Sequence, residues 1–430
     1  MPASVAPLAR TLLIAATLSL FAPAARAIAD DPLLPMIRRT DRYLQEHAVD
    51  GVTMDWRYSV IPSEEIRQTV VCQLLAYVEL ARLDARPRLR TEIVRHADFL
   101  LPRLADVRSF TPFDGMLAYA LLGAFEITRE PRFLEAGTGI TNDLLAIPTG
   151  ECVLNGGLMV AMATAEYAFL TGDVPSRTKT HDIVAQLAPY QNDDGSFPHW
   201  CVGSRDIHYT GWMAMELMHI RRLQERAACD DYLQRMSWFL EGRIDASGRS
   251  VYEEPCPGVP GCTLYFYSRM TGCSFDLDSR GWTVEPAYEA LLFDHLGSGQ
   301  YGQVMAFLDS LEDGGTIADL FGYWPPPEDP EYPWTIADTS VVCMSINLWV
   351  LATAVADRVA RGLPVDLVLD VYDAGGRRVR RLAGGVFRAG THVIPWNGRD
   401  DRGRTCGPGV YFARFEGPER HDAVRLVRVW

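Results

Sequence analysis

From Asp31 to about Arg361 the chain alternates two kinds of segment, both with the apolar spacing of helices. Segments 31–48, 86–104, 130–147, 174–190, 229–242 and 299–312 are amphipathic and dotted with arginine. Each is followed by a segment that is apolar nearly all round: 63–84, 113–128, 151–172, 207–225, 282–296 and 337–357. A helix with one polar face sits at a surface, whereas a helix apolar on every side is enclosed. Six outer–inner pairs in succession therefore predict a mainly α fold, an (α/α)6 toroid over 30–360 in which six helical hairpins close into a ring. The connections share a vocabulary of Asp-Gly or Gly-Gly beside aromatics, as in Phe113-Asp114-Gly115, Asn155-Gly156-Gly157 and Asp313-Gly314-Gly315. That is a weak internal repeat of the kind helical hairpins leave.

After Val359–Pro364 the period changes to two, beginning with Val365-Asp366-Leu367-Val368-Leu369-Asp370-Val371-Tyr372. Gly-rich turns and further short strands near 377–382, 391–396, 409–415 and 423–430 predict a small β-sandwich over 365–430. Charge follows the same boundary. The net charge is −14, but 365–430 holds twelve arginines against eight acids, a net of +4, which leaves −18 for the remainder. An acidic main body argues against nucleic acid as a partner. Forty of the 41 basic residues are arginine, so no single arginine is informative by its type alone.

Residues 1–27 have a basic start ending at Arg10, an apolar run Thr11–Ala22 and the small-residue sequence Ala25-Arg26-Ala27. These are the three parts of a secretory signal peptide, so the protein is expected to be exported to the periplasm, the cell surface or beyond. The uncharged stretch Thr339–Ala356 has relatives at Cys152–Leu170 and Met116–Phe125, so an enclosed helix is expected there rather than a transmembrane span. Nine cysteines leave at least one unpaired. Cys256 and Cys262 enclose Pro-Gly-Val-Pro-Gly, a turn suited to a disulfide in an oxidising compartment. No CxxC pair or HExxH is present, and neither a metal nor a cofactor is expected.

Gln191-Asn192-Asp193-Asp194-Gly195-Ser196-Phe197, followed by Tyr209-Thr210-Gly211-Trp212, resembles a hairpin of the α/α-toroid proteins. These include six-hairpin glycosidases, polysaccharide lyases, terpenoid cyclases and prenyltransferases, so the resemblance implies an architecture and leaves the activity open. At the other end, Val371-Tyr372-Asp373, Ala389-Gly390-Thr391-His392, Trp396-Asn397-Gly398-Arg399-Asp400 and Pro408-Gly409-Val410-Tyr411 resemble the Ig-like domain of the flagellar hook-capping family. The same module serves as a C-terminal sorting domain, which implies display and contact with a secretion or sorting machinery.

In toroids of this type the connections into the inner helices gather at one mouth. Here those connections carry acids, aromatics and histidines, the residue types of a glycan or small-molecule pocket. The candidate catalytic residues are Asp194, His199, His208, Tyr209, Asp276 and Asp278. The candidate substrate-binding residues are Asp55, Trp56, Asn155, Trp200, Arg280, Trp282, Tyr323 and Trp324. Any one of these acids has capping as its rival role; Asp114, just ahead of an apolar helix, shows the pattern.

Glycoside hydrolysis would draw a carboxylate pair from Asp55, Asp194, Asp276, Asp278 and Glu285. Elimination at a uronate would use a neutralising Asn155 or Arg280 with His199, His208 or Tyr209 as base and acid. The stretch around Asp194 is similar to lyases of the hyaluronate/chondroitin type, with two departures. His199 is one residue too close, and Met213 stands where that family has its tyrosine. Cyclase and prenyl-transfer chemistry lack their acidic and zinc-binding patterns. The long connection 243–281 is expected to fold as a flap over the mouth or as a pinned insertion. Two readings remain, a glycan-acting hydrolase or lyase, and a non-catalytic surface protein that binds a glycan or protein.

Overall fold

The computed structural model describes residues 31, 33–46, 48, 52, 62–83, 86–149, 154–198, 205, 207–244, 246, 284–310, 341–362, 364–388, 396–416 and 421–428. Its contacts divide the chain into a helical unit ending at Arg358 and a second unit beginning at Val359. In the helical unit α1 (Leu34–Glu46), α3 (Pro87–Leu100), α6 (Pro131–Ala146), α8 (Val174–Ala185), α10 (Arg226–Glu241) and α12 (Tyr301–Ser310) are the outer helices. The inner ones are α2 (Pro62–Leu83), α5 (Asp114–Thr128), α7 (Leu154–Thr171), α9 (Ile207–Leu223), α11 (Val284–Leu296) and α13 (Val341–Gly362); a single turn, α4 (Leu104–Val107), precedes α5.

The two kinds of connection differ for local chemical reasons. Inner helices end in left-handed residues: Arg129 (φ 62°), Gly172 (φ 78°) and Gly297 (φ 70°). The outer helices then start at once, from Pro131 after extended Glu130 and from Asp173, whose carboxylate accepts the Ser176 N–H at 2.9 Å. Inner-to-outer turns are thus tight, and the long connections all run from outer to inner helices.

Each inner helix from α2 to α11 packs on the next. Gln73 of α2 donates to Ser345 Oγ of α13 at 3.1 Å, which joins the first inner helix to the last. The ring is a toroid, and α5 and α7 are enclosed along almost their whole length. α13, which contains most of the uncharged stretch, is one of its buried walls, and no described helix is long and apolar enough to cross a membrane.

Close approach of two inner helices depends on Gly115, where an added Cβ would meet the Met159 carbonyl oxygen of α7 at 2.3 Å. Gly115→Ala should therefore force α5 and α7 apart and destabilise the protein by about 1–3 kcal/mol. Chemical denaturation checks this, and an unchanged midpoint would mean the contact yields freely.

The second unit contains β1 (Pro364–Asp373), β2 (Arg378–Arg388), β3 (Gly409–Glu416) and β4 (His421–Arg428) in one antiparallel sheet, ordered β2-β1-β3-β4. Alternation places Leu369, Val371, Tyr411, Ala413 and Leu426 on one face, where they form a core with Val379 and Trp396. The described strands make one sheet rather than the two of a sandwich, and the expected strand at 391–396 lies almost wholly outside the described residues. Trp396 itself is not in a strand. Its ring packs edge-on against Tyr411 at 4.9 Å, and its indole N–H donates to the Arg399 carbonyl at 3.0 Å. Cys256, Cys262 and the whole of 247–283 also lie outside the described residues; the described Cys72, Cys229 and Cys406 are free thiols.

Candidate functional site

The inner helices run parallel, because contacts pair start with start and end with end. Near their starts, Asn155 (second residue of α7) meets Tyr209 (third residue of α9), and the Tyr209 hydroxyl donates to Asn155 Oδ1 at 2.5 Å. The same Oδ1 accepts the Gly156 N–H at 2.7 Å. With its oxygen doubly engaged, the Asn155 amide has its two N–H donors left over, and among the described residues nothing accepts them. Both side chains are nearly buried, 7% and 6% exposed.

One turn deeper, Trp212 donates its indole N–H to Glu216 Oε1 at 2.7 Å and meets the Tyr288 ring edge-on at 6.0 Å. Tyr209, Trp212 and Glu216 share one face of α9 by their helical spacing. Glu216 is completely buried, and burial pushes its carboxyl well above the usual range while the Trp212 N–H pulls the other way.

The acids that open the described connections have structural duties. Asp114 accepts the Ser109 N–H and Oγ–H at 2.8 Å each, the Phe110 N–H at 3.1 Å and Arg108 Nε at 3.1 Å. It is a fully buried clasp on the loop ahead of α5. Asp194 sits in the turn that runs from Gln191 to Phe197, where it accepts the Ser196 N–H at 3.1 Å and Oγ–H at 2.7 Å and pairs with Arg205 at 2.8 Å. That turn is tied to α9 by the Phe197 N–H, which donates to Thr210 Oγ1 at 3.1 Å. Met213 is completely buried, one turn further along α9 than Tyr209.

Of the other candidates, His208 lies in α9 but its side chain is not described. Asp55, Trp56, His199, Trp200, Asp276, Asp278, Arg280, Trp282, Tyr323 and Trp324 lie outside the described residues. No group of three or more His, Cys, Asp or Glu among the described residues converges to hold a metal ion.

At the opposite end of the ring is a charged cluster that no motif singled out. Arg82 reaches Glu79 at 2.6 Å, Glu126 at 2.7 Å and Glu166 at 2.9 Å, joining α2, α5 and α7. Arg222 of α9 takes the second Glu79 oxygen at 2.6 Å and, at 2.8 Å, the hydroxyl of Tyr119, which also meets His219 Nδ1 at 3.1 Å. His219 stacks on Trp349 of α13 at 5.3 Å. Burial alone would raise the Glu79 carboxyl, but Arg222 and Arg82 outweigh it and hold Glu79 far below the usual range. Glu166 has only one close guanidinium, and burial pushes it up to about 7. Burial pushes His219 down to about 3, so it is neutral. The signal for this cluster was present in the sequence as charges near the ends of otherwise apolar helices.

No protein-family model and no curated protein sequence matches the chain. Solved structures do match its fold. A polysaccharide lyase superposes with a TM-score of 0.53 at 10% identity, covering 80% of this chain and 99% of the lyase. A family 88 glycosyl hydrolase from Bacteroides vulgatus gives 0.52 at 11% identity, covering 76% and 98%. A sugar epimerase from a ruminal bacterium gives 0.51 at 8% identity, covering 79% and 98%. Identities this low establish the shared toroid and nothing finer.

Proposed function

We propose that the helical unit is a glycan-acting enzyme that cleaves uronate-containing polysaccharide by β-elimination, with Asn155 and Tyr209 at its centre. The observation that carries this is the Asn155–Tyr209 hydrogen bond near the starts of α7 and α9, where the oxygen of the Asn155 amide is doubly engaged and its N–H donors are unspent. Elimination begins with loss of the proton on C5, next to the uronate carboxylate, and the charge that develops spreads onto that carboxylate. Two amide N–H donors facing it stabilise that charge where it forms. The C5 proton passes to a base, the C4–O bond breaks, the C4=C5 double bond forms and the departing oxygen takes up a proton. Tyr209 is the group placed to exchange protons there.

Hydrolysis needs two available carboxylates across a cleft. Among the described acids near the opening, Asp114 and Asp194 are engaged in their loops and Glu216 is buried beneath Trp212. The solved relatives named above as a lyase, a hydrolase and an epimerase are all sugar-acting proteins, which supports a glycan as substrate. The acidic net charge of the unit acts over distances that salt screens within about 8 Å, whereas the Asn155 donors act at contact. The second unit, in this reading, is an Ig-like display or sorting module, and its Trp396 and Tyr411 are structural; the whole is exported and shown at or beyond the cell surface.

A panel of uronate polysaccharides (pectate, alginate, hyaluronan, chondroitin) tests the proposal. New reducing ends should appear together with the ultraviolet absorbance of the C4=C5 bond. Reducing ends without that absorbance would mean hydrolysis. Neither signal on any polymer would leave a binding protein.

A further inference from the structure

We propose that Phe110 is a sugar-stacking subsite at the same end of the ring as Asn155 and Tyr209, taking the apolar face of a pyranose ring. The inference rests on the glycan reading above and adds a contact which that reading does not contain. Phe110 is 70% exposed, a large apolar ring held in water. Its backbone is left-handed, φ 54°, a conformation that a glycine adopts freely and a bulky residue resists. Phenylalanine is thus an unfavourable choice at this position on two independent grounds, solvation and backbone. A residue kept against both is held there by its surroundings for a purpose beyond the fold.

The surroundings are specific. The Phe110 N–H is bonded to Asp114 at 3.1 Å, Ser109 is clasped by the same carboxylate, and the Ser109 hydroxyl meets Thr111 Oγ1 at 2.7 Å. Arg108 is pinned between Asp114 at 3.1 Å and Asp143 at 2.9 Å, and its guanidinium lies 4.4 Å from the Phe110 ring centroid. One face of the ring is therefore backed by a fixed cation, which leaves the other face for a partner. A ring oriented in advance loses little freedom on binding. Its place relative to the site follows from the helices. Asp114 opens α5, its neighbour Gly115 lies against Met159, and Met159 is one helical turn along α7 from Asn155. The loop of Phe110 thus borders the turn that carries the proposed catalytic amide. A sugar ring presents a flat C–H face that suits an aromatic surface.

Phe110→Gly separates recognition from folding. It removes the ring while easing the backbone, so its Tm should equal or exceed that of the unaltered protein. Affinity for whichever uronate polymer of the panel binds should fall about fivefold or more, the size of one aromatic contact, and Phe110→Tyr should restore it. Equal polymer affinity in Phe110→Gly and the unaltered protein would overturn the proposal and leave the glycan reading intact. A loss of affinity that travels with a lowered Tm and is not rescued by Phe110→Tyr would make the residue structural and overturn it equally. If the unaltered protein binds none of the four polymers, the glycan reading itself fails and the subsite falls with it.

Discussion

Arg82→Met is expected to cost about 3–5 kcal/mol of stability, the usual penalty for stripping a buried charge of its partner. Against a typical total of about 5–15 kcal/mol, that is enough to leave much of the protein unfolded at moderate denaturant. Methionine keeps most of the aliphatic stem, so the loss is electrostatic rather than a cavity. Arg222 still holds Glu79 at 2.6 Å, but Glu126 and Glu166 lose the guanidinium that meets them at 2.7 and 2.9 Å. A double variant, Arg82→Met with Glu166→Gln, should recover part of the deficit by removing one of the two stranded carboxylates.

The pH dependence has a definite sign. Glu166 in the folded protein is already raised to about 7 by burial, so ionising it costs stability as pH climbs from its ordinary value toward neutrality. Without Arg82 that folded value rises further, because the one close cation opposing burial is gone. The deficit of Arg82→Met should consequently be smaller near about pH 5, where Glu166 can stay protonated, and grow as pH rises. Glu79 acts in the opposite sense in the unaltered protein. Its depressed folded value lends stability that is present above the unfolded value and is lost as pH falls. Denaturation midpoints at several pH values check both signs, and a variant that melts like the parent at alkaline pH would show that the cluster carries no net stability.

This cluster also shows where one-dimensional reading stops. The ring was legible because enclosed helices such as α5 and α7 are apolar on every side, while α1 and α3 keep a polar face. The glutamates and arginines near the inner-helix ends were equally visible in the sequence. Their pairing was not, since Glu79 and Arg222 stand 143 residues apart and meet only when the ring closes. Asn155 and Tyr209 are the same case in miniature: each was a candidate by type, and their contact spans 54 residues. Asp114 and Asp194 show a different use of acids. Asp194 was a catalytic candidate and Asp114 the example of a capping acid, and each accepts hydrogen bonds from its own loop, a use that short-range backbone N–H groups favour. In the sheet, period two marked the strands, but β1 pairing with β3 past β2 is a topological fact that alternation does not encode.

Tyr209→Phe should reduce kcat on a uronate polymer by about 10²–10⁴-fold, the range for losing a positioned proton-transfer group, with little change in KM. The substitution keeps the ring that fills the start of α9 and removes only the hydroxyl hydrogen-bonded to Asn155 Oδ1, so the fold has small cause to change. What distinguishes catalysis from support is how the loss divides. If Tyr209 merely holds the amide in place, Tyr209→Phe frees Asn155 to turn, and both kcat and KM suffer as carboxylate binding weakens. If Tyr209 moves the proton, KM stays near the parental value and the acidic or basic limb of the pH–rate profile disappears. Near-parental kcat would take proton transfer away from Tyr209. His208, its neighbour on α9, and His199, in the connection just before that helix, would then be the groups to substitute next, and Asn155 would remain the residue that meets the carboxylate.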